Sequence, residues 1–543
     1  MTQRQNSSAA SAPATSSQPT PDPRRWKALG VLALALALIV LDGSIVTIAL
    51  PSIIGDLGLD ISAAQWVNSL YSVVFCALLL PSGRLGDRLG RRTMLMIGVV
   101  VFAGASAWAG FATSGTLLIA ARFVQGIGGA MIMPSTLSTV NATFRGRERA
   151  AAFGVWGAVM SGAAALGPLL GGWLSSSVSW RWVFYVNIPL GILVLIGAAL
   201  WVADTRAAGG RRSARIPDLP GALLSGVSLA LIVFGIIEGP DLGWFSRSES
   251  LHLFGADIDG PAGLSVVPVV LVVGIVLLAV FLLRERRLLR RGSEVLLDLA
   301  LFRLPTFAWG SLTAATVAVG EFALLFTLPL YLVDVRGLST MSAGLVMAAL
   351  AIGAFISGAL ARHVAARFGA PRTVIIGLVL EVLGVVVLAL VITPELPLAA
   401  MTLVLVVYGI GLGLASAQLT STVLADVPVD ESGQGSATQS TVRQLGTALG
   451  SSVAGALLAS GLARASQGLS GAEAQAADAL TDSAGSSLPA LRAQDAPGAL
   501  ISRMESLFTD GTQVAMAGAA VFLVLGLLGA LQVSRAARRG SSR

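Results

Sequence analysis

GIGGAMIMPSTLSTVNATFRGRERAAAFGVWGAVMSGAAALG, residues 126–167, returns 283 positions later as GIGLGLASAQLTSTVLADVPVDESGQGSATQSTVRQLGTALG, residues 409–450. At that constant offset Gly126 falls on Gly409, Gly128 on Gly411 and Ser138-Thr139-Val140 on Ser421-Thr422-Val423. Glu148 falls on Glu431, and Ala165-Leu166-Gly167 on Ala448-Leu449-Gly450. Fainter echoes set Leu50-Pro51 on Leu328-Pro329 and Ser82-Gly83 on Ser357-Gly358, at offsets of 278 and 275, so small insertions separate the copies. Chance similarity between Gly/Ala/Ser-rich helices would not keep three such matches in order. The chain reads as two halves written on one plan and facing each other.

The medium in which those halves fold follows from composition. Of 543 residues 55% are hydrophobic and only 12% charged, and the mean hydropathy is +0.81. Soluble chains carry about 25% charged residues, so this is a polytopic membrane protein embedded in a lipid bilayer. The single cysteine, Cys76, excludes an intramolecular disulfide and a cysteine-based metal cluster. His252 and His363 lie too far apart in sequence to suggest a metal site, and nothing calls for a cofactor. Residues 1–25, rich in Ser, Ala, Gln, Thr and Pro, read as a disordered tail. The apolar run after them is too long for a signal peptide and begins a span.

Windows of about 20 apolar residues predict an all-α fold of fourteen transmembrane helices. They lie near 28–50, 63–83, 93–113, 115–140, 150–174, 182–203, 218–238, 262–284, 306–333, 340–362, 372–393, 397–425, 434–462 and 512–534. The doubled region sets helices 4 and 5 on helices 12 and 13, which gives a 6+2+6 arrangement. Residues 1–25 are then a cytoplasmic tail and 26–204 the first six-helix half. Residues 205–305 hold two inserted helices with linkers, 306–536 the second half, and 537–543 a second cytoplasmic tail. Within the second half, 463–511 is expected as a long extracytoplasmic loop, solvated rather than a lid.

Basic residues test this count. With the amino terminus inside, 28 of the 36 Lys and Arg residues fall on the inner side. Arg181, Arg247, Arg336, Arg464, Arg492 and Arg503 fall outside, and Arg122 and Arg443 within spans. Such asymmetry places both termini in the cytoplasm. It also explains the formal charge of +7 by sidedness, with no nucleic-acid partner. The inner loop 426–433 carries no basic residue and is the weak point. Lys27 is the only lysine, which hints at a GC-rich bacterial genome.

Several stretches carry chemistry. Ser82 to Arg92, SGRLGDRLGRR, is expected to connect helices 2 and 3 on the inner side. Its Asp87 can accept bonds from a helix amino terminus or pair with an arginine. Asp42, in LDGSIVTIALP of helix 1, costs at least ~2.5 kcal/mol to bury mid-span. It is either a group that loses and gains a proton or a carboxylate pairing with a neighbour to hold the bundle. Arg122, in RFVQGIGGAMIMP of helix 4, sits at matched depth and is a partner for Asp42 or structural glue. In helix 5, Gly162 to Gly172 reads GAAALGPLLGG, where Gly167-Pro168 and Gly171-Gly172 allow bending and close packing. Trp180 and Trp182 mark a span end, the usual place of an interfacial belt. Glu321 in helix 9 falls one residue from the position opposite Asp42, and is a second cavity acid or a structural pair. Glu381 in helix 11 is expected at the periphery as a half-buried neutral carboxyl, and Arg443 in helix 13 needs a partner, with Glu321 one candidate.

Gly83 to Arg92 matches every fixed position of G-x-L-x-D-x-x-G-R-[KR], and here the chain resembles the major facilitator superfamily. LDxxIVxxALP, RxxQGxGgA, GxxxGPxxGG and WRWxFxxNxPxG resemble its fourteen-helix drug:proton antiporters, with Ala163 standing where the antiporter motif has its first glycine. The resemblance covers nearly all of residues 26–460. It implies that Gly83, Asp87, Arg88, Gly90 and Arg91 latch the halves during switching. It implies that Asp42 and Arg122 couple protons; Glu321 is not a fixed feature of the family, and is either an auxiliary to them or a structural pair. Gly162, Gly167, Pro168, Gly171 and Gly172 would form the exporter-associated motif. The implied function is proton-driven export of amphiphilic, mainly cationic drugs across the cytoplasmic membrane, by a monomer and not an enzyme. Export of one metabolite, such as a self-made antibiotic or a lipid, and a receptor that transports nothing are the alternatives.

Overall fold

The computed structural model describes residues 23–541 except 60, 205–217, 247–250, 254–255, 259, 261–263, 294, 429–430, 484, 486 and 495. Nearly all of the expected tail 1–25 lies outside the described residues. Apolar runs of this length satisfy their backbone only as helices. The first half comprises α1 (Arg25–Leu57), α2 (Ile61–Leu89), α3 (Arg91–Gly110), α4 (Gly115–Thr143), α5 (Gly146–Ser177) and the short α6 (Trp182–Tyr185) leading into α7 (Asn187–Trp201). The insert is α8 (Leu219–Leu242) and α9 (Val266–Arg290), with a small antiparallel pair, β1 (Leu251–Leu253) and β2 (Ala256–Ile258), between them. The second half comprises α10 (Pro305–Leu330), a π turn (Tyr331–Val335), α11 (Thr340–Phe368), α12 (Ala370–Val391), α13 (Leu398–Val423), α14 (Ser432–Ala465), α15 (Ala472–Asp482), α16 (Ser487–Ala493) and α17 (Gly498–Ser541). Among the described residues twelve helices are long and apolar enough to cross a membrane. The long helices α2 and α5 pack beside them, α2 on α4 and α5 on α1.

The halves meet as the duplication requires. α5 packs on α11 and α13, and its counterpart α14 packs on α2 and α4. Arg443 Nη1 meets Met160 Sδ at 3.4 Å. Met160 is the position that the offset of 283 sets against Arg443, and related copies touch at equivalent residues only on their common axis. The insert lies over the seam: α8 touches both α2 and α14. α9 packs outside it and shows Val272, Ile275, Val276 and Leu283 more than half exposed, a surface suited to hydrocarbon.

Three expectations change. The stretch 82–92 is not a loop, because α2 runs through Leu89 and α3 begins at Arg91, leaving Gly90 at φ 103 as the whole connection. Glycine adopts that φ without penalty, and unbroken helices keep their backbone bonds. Residues 463–511 are not a bare solvated loop either. α15 and α16 dock on the second half, burying Leu480 and Leu488, while Arg492 donates to the carbonyls of Asp334 at 2.8 Å and Val335 at 2.7 Å. Those carbonyls end the π turn, where acceptors lack partners. Trp180 is buried, and its indole N–H donates to Asp56 at 3.0 Å, joining the far ends of α1 and α5. Together with Arg181 at 2.7 Å, it holds the Asp56 carboxyl below the usual carboxylate range.

Small residues set the helix spacing. A Cβ at Gly128 would lie 2.6 Å from the Phe102 nitrogen and 2.9 Å from the Gly98 oxygen, whereas one at Gly30 meets nothing within 4 Å. Gly128→Ala should therefore cost about 1–3 kcal/mol through overpacking and lower the thermal midpoint of the purified protein. Gly30→Ala, measured beside it, should leave the midpoint unchanged or raise it.

Candidate functional site

Asp42 is fully buried, and its carboxylate on α1 takes bonds from α4 and α7. Arg122 Nη1 of α4 lies 2.5 Å from Oδ2. Gln125 Nε2, one turn further on α4, donates to Oδ1 at 2.6 Å, and Asn187 Nδ2 of α7 donates to Oδ1 at 2.7 Å. Both amides also donate to Ser106 Oγ of α3, at 2.8 and 3.2 Å. The guanidinium spends its other donors on Gln125 Oε1 at 2.8 Å and, through Nε, on the Val67 carbonyl of α2 at 3.1 Å. It lies over the Tyr71 ring at 4.1 Å. A buried charge persists where it is paired and further hydrogen-bonded, and this one is.

The glycines of α5 connect that pair to the other half. Gly167 packs on Ser44 and Gly171 on Ile45, where an added Cβ would lie 2.8 Å from the Ile45 oxygen. These contacts fall two and three residues after Asp42. On the other side of α5, Gly162 faces Phe355 and Gly172 faces Met341, both of α11. α5 stays helical through Pro168, whose side chain lies outside the described residues. The motif is thus a packing surface against α1 and α11, with no break in the helix.

On the face that holds the basic residues, Asp87 acts across the halves. The N–H groups of Gly433 and Gln434 donate to its Oδ1 at 3.1 Å and Oδ2 at 3.2 Å. These are second and third in α14, so a carboxylate of the first half caps a helix of the second. Arg91 Nη2 donates to the same carboxylate at 3.0 Å and its Nη1 to the Ser138 carbonyl at 3.5 Å. Gly83 lets α2 approach, since a Cβ there would lie 2.8 Å from the Gly433 oxygen. Asn141 donates to Ser432 Oγ at 3.1 Å and Arg149 to the Ser421 carbonyl at 3.0 Å. Arg149 also lies within electrostatic range of Asp426, in the segment 426–433 that has no basic residue of its own.

The insert is tied to this latch. The Gln434 side chain donates to the Val295 carbonyl at 3.3 Å and accepts from the Asp298 N–H at 3.2 Å. Buried Glu285 accepts from the N–H groups of Leu296 at 2.6 Å and Leu297 at 3.1 Å. Its neighbour Arg284 grips Asp218, which caps α8, through two bonds of 2.7 Å. Burial pushes the Asp218 carboxyl up, but the bonds from Arg284 and Gly221 outweigh it and hold it below the usual range. Arg88 lies within electrostatic range of Asp218.

Within the second half, among α10, α13 and α14, lies a cavity of about 10 Å³, the room of one water, lined by Glu321, Arg443, Gln439, Ser416 and Thr420. Glu321 and Arg443 pair loosely at 3.5 Å.

Residues 32–451 match the Major Facilitator Superfamily. The chain belongs to that superfamily. It is 33% identical over 454 residues to the "Probable actinorhodin transporter" of Streptomyces coelicolor, covering 82% of this chain and 74% of that one. It is 32% identical over 431 residues to "Multidrug resistance protein Stp" of Mycobacterium tuberculosis, covering 79% and 75%. Its fold resembles the crystal structure of the human organic anion transporter MFSD10, with a TM-score of 0.58, 15% identity and coverage of 94% and 100%.

Within this superfamily chain, the structure brings Asp42 to Arg122, Glu321 to Arg443, Gly83 and Asp87 to α14, and Arg91 to Asp87. Glu381 departs from expectation: it is fully buried inside the second half, not half-buried at the rim. Sequence reading gave no role to Gln125, Asn187 or Ser106. Gln125 was within reach, since it follows Arg122 by three residues and shares its helix face. Asn187 and Ser106 join the site only through tertiary packing.

Asp42→Asn should strand the Arg122 charge and destabilise the protein by about 3–5 kcal/mol. The double variant Asp42→Asn, Arg122→Gln should regain part of that loss in a thermal-unfolding series. At the latch, Asn141→Cys and Ser432→Cys in a Cys76→Ser background should form a disulfide on mild oxidation. Adding Asp87→Asn, which weakens the cap on α14, should lower the cross-linked fraction severalfold on non-reducing gels.

Proposed function

We propose that this superfamily member exports amphiphilic, mainly cationic drugs across the cytoplasmic membrane in exchange for protons. The observation that carries the reading is the Asp42–Arg122 pair, sealed inside the first half and joined through Ser44 and Ile45 to the α5 glycines. A proton on Asp42 cancels the carboxylate charge and releases Arg122, so α1 and α4 lose their strongest mutual attraction. α1 then shifts against Gly167 and Gly171, and α5 transmits the shift to α11. Protonation from outside would displace substrate, the halves would rock about the Asp87 cap, and proton loss to the cytoplasm would restore the binding form. One proton moving down 100 mV supplies ~2.3 kcal/mol, and each pH unit adds ~1.4 kcal/mol, enough to hold a useful gradient.

Fourteen spans in the 6+2+6 plan, with both termini in the cytoplasm, are part of this reading. It is supported by the alternation of helix ends and by the crowding of arginines on one face. A second reading, export of one metabolite, draws support from the relative named for actinorhodin. A multidrug relative stands at similar identity, so breadth of substrate is what the test must separate.

Energised inverted vesicles with a pH-sensitive dye provide that test. Several lipophilic cations, ethidium among them, should each release protons in vesicles carrying the natural protein, and none should with Asp42→Asn. Response to a single compound would move the function to metabolite export. Response that survives Asp42→Asn would remove Asp42 from the coupling.

A further inference from the structure

The second half contains an acid that the cycle above does not use. Glu381, on α12, is fully buried, and among the described residues neither of its carboxyl oxygens has a hydrogen-bond partner. The Tyr408 hydroxyl on α13 is likewise buried without a partner. Glycines bring these helices together. A Cβ at Gly377 would lie 2.6 Å from the Ala415 nitrogen, and one at Gly411 would lie 3.0 Å from Glu381 Cγ. The Glu381 side chain therefore runs past a bare stretch of α13, the helix whose Ser416 and Thr420 line the cavity of the second half. The titratable and charged groups around it are Tyr408 of α13, Glu321 of α10 and Arg443 of α14.

We propose that Glu381 is a second proton-binding site, which exchanges its proton with Glu321 at the cavity of the second half. An ionised carboxylate without donors in apolar surroundings is the costliest form of such a group, and a protonated acid is the form that fits. Glu321 differs, because Arg443 beside it supports a negative charge. In the exchange the O–H bond of Glu381 breaks and a carboxylate oxygen of Glu321 takes the proton. The negative charge passes from Glu321 to Glu381, and Arg443 remains within range of both, so the charge of the cluster is unchanged. The cavity beside Glu321 has room for one water, which could receive the proton on its way. Glu381 would then carry a proton for the second half as Asp42 does for the first.

The inference rests on the proton-driven reading, and its test is independent of transport. Infrared spectra of the full chain in lipid nanodiscs should show a protonated-carboxyl C=O band that disappears in Glu381→Gln and persists, shifted, in Glu381→Asp. If no such band is lost in a folded Glu381→Gln protein, the site is refuted. In Glu321→Gln the band should remain but lose its response to pH, and an unaltered titration would refute the exchange. In vesicles, Glu381→Gln should lower the protons moved per substrate, where Asp42→Asn abolishes movement. A natural protein that moves no protons would overturn the export reading, while the infrared band would still decide whether Glu381 holds one.

Discussion

Two N–H groups at the start of α14 have no partner in their own helix, and the carboxylate that takes them belongs to the other half of the molecule. That contact ties α2 to α14 across the seam. An N-terminal helix end and a buried carboxylate are each costly alone and nearly cancel when joined, because the bonds are charge-assisted and aligned with the helix dipole. Gly83 and Gly433 are small because the two backbones must come close for the bonds to form. The Asn141–Ser432 bond sits at the same junction, and the Arg149–Ser421 bond joins α5 to α13 across the halves.

Asp42 poses the same problem of a buried charge and meets it differently. Its partners all come from the first half, so the network keeps its bonds whatever the distance between halves. The duplicated plan is not followed here. Arg122 has an apolar counterpart in Leu405, while Arg443 stands where the first half has Met160. Charge therefore lies sealed within one half and at the shared axis in the other. A two-fold fold has become a polarised one through single positions, with its helix packing retained.

The sequence exposed what depends on period and on local chemistry. Apolar length gave the long helices, the repeated stretch gave the pairing of α4 and α5 with α13 and α14, and glycine spacing flagged α5. Asp42 and Arg122 were legible because a charge mid-span is rare and their depths matched. Gly90 hid the form of its connection, since SGRLGDRLGRR has the composition of a loop and only φ distinguishes one pivot from a flexible segment. The Ala- and Ser-rich stretch 463–511 looked solvated because few apolar residues suffice to dock α15 and α16. Glu381 was misplaced because its burial comes from Gly377 and Gly411, which only the pairing of α12 with α13 brings to it. Asn187 and Ser106 are polar residues among many until four helices converge around one carboxylate.

Whether a buried cap can open turns on what is left behind when it does. Asp87 keeps Arg91 on its own side of the seam, bonded at 3.0 Å, so parting from α14 does not strand its charge. α14 loses two acceptors that water can replace at a helix end. The contacts between α14 and the insert are of another kind. Gln434 uses both ends of its amide on the backbone of Val295 and Asp298, and Ser452 donates to the Ile236 carbonyl of α8 at 2.6 Å. Parting there would strand a side-chain amide and backbone groups on both sides at once. The strap they hold is itself fastened by Glu285, and α8 by Arg284 through Asp218. Of the two seams that run along α14, the one at Asp87 is therefore the less costly to open, which makes the insert a companion of the second half more than a hinge between the two.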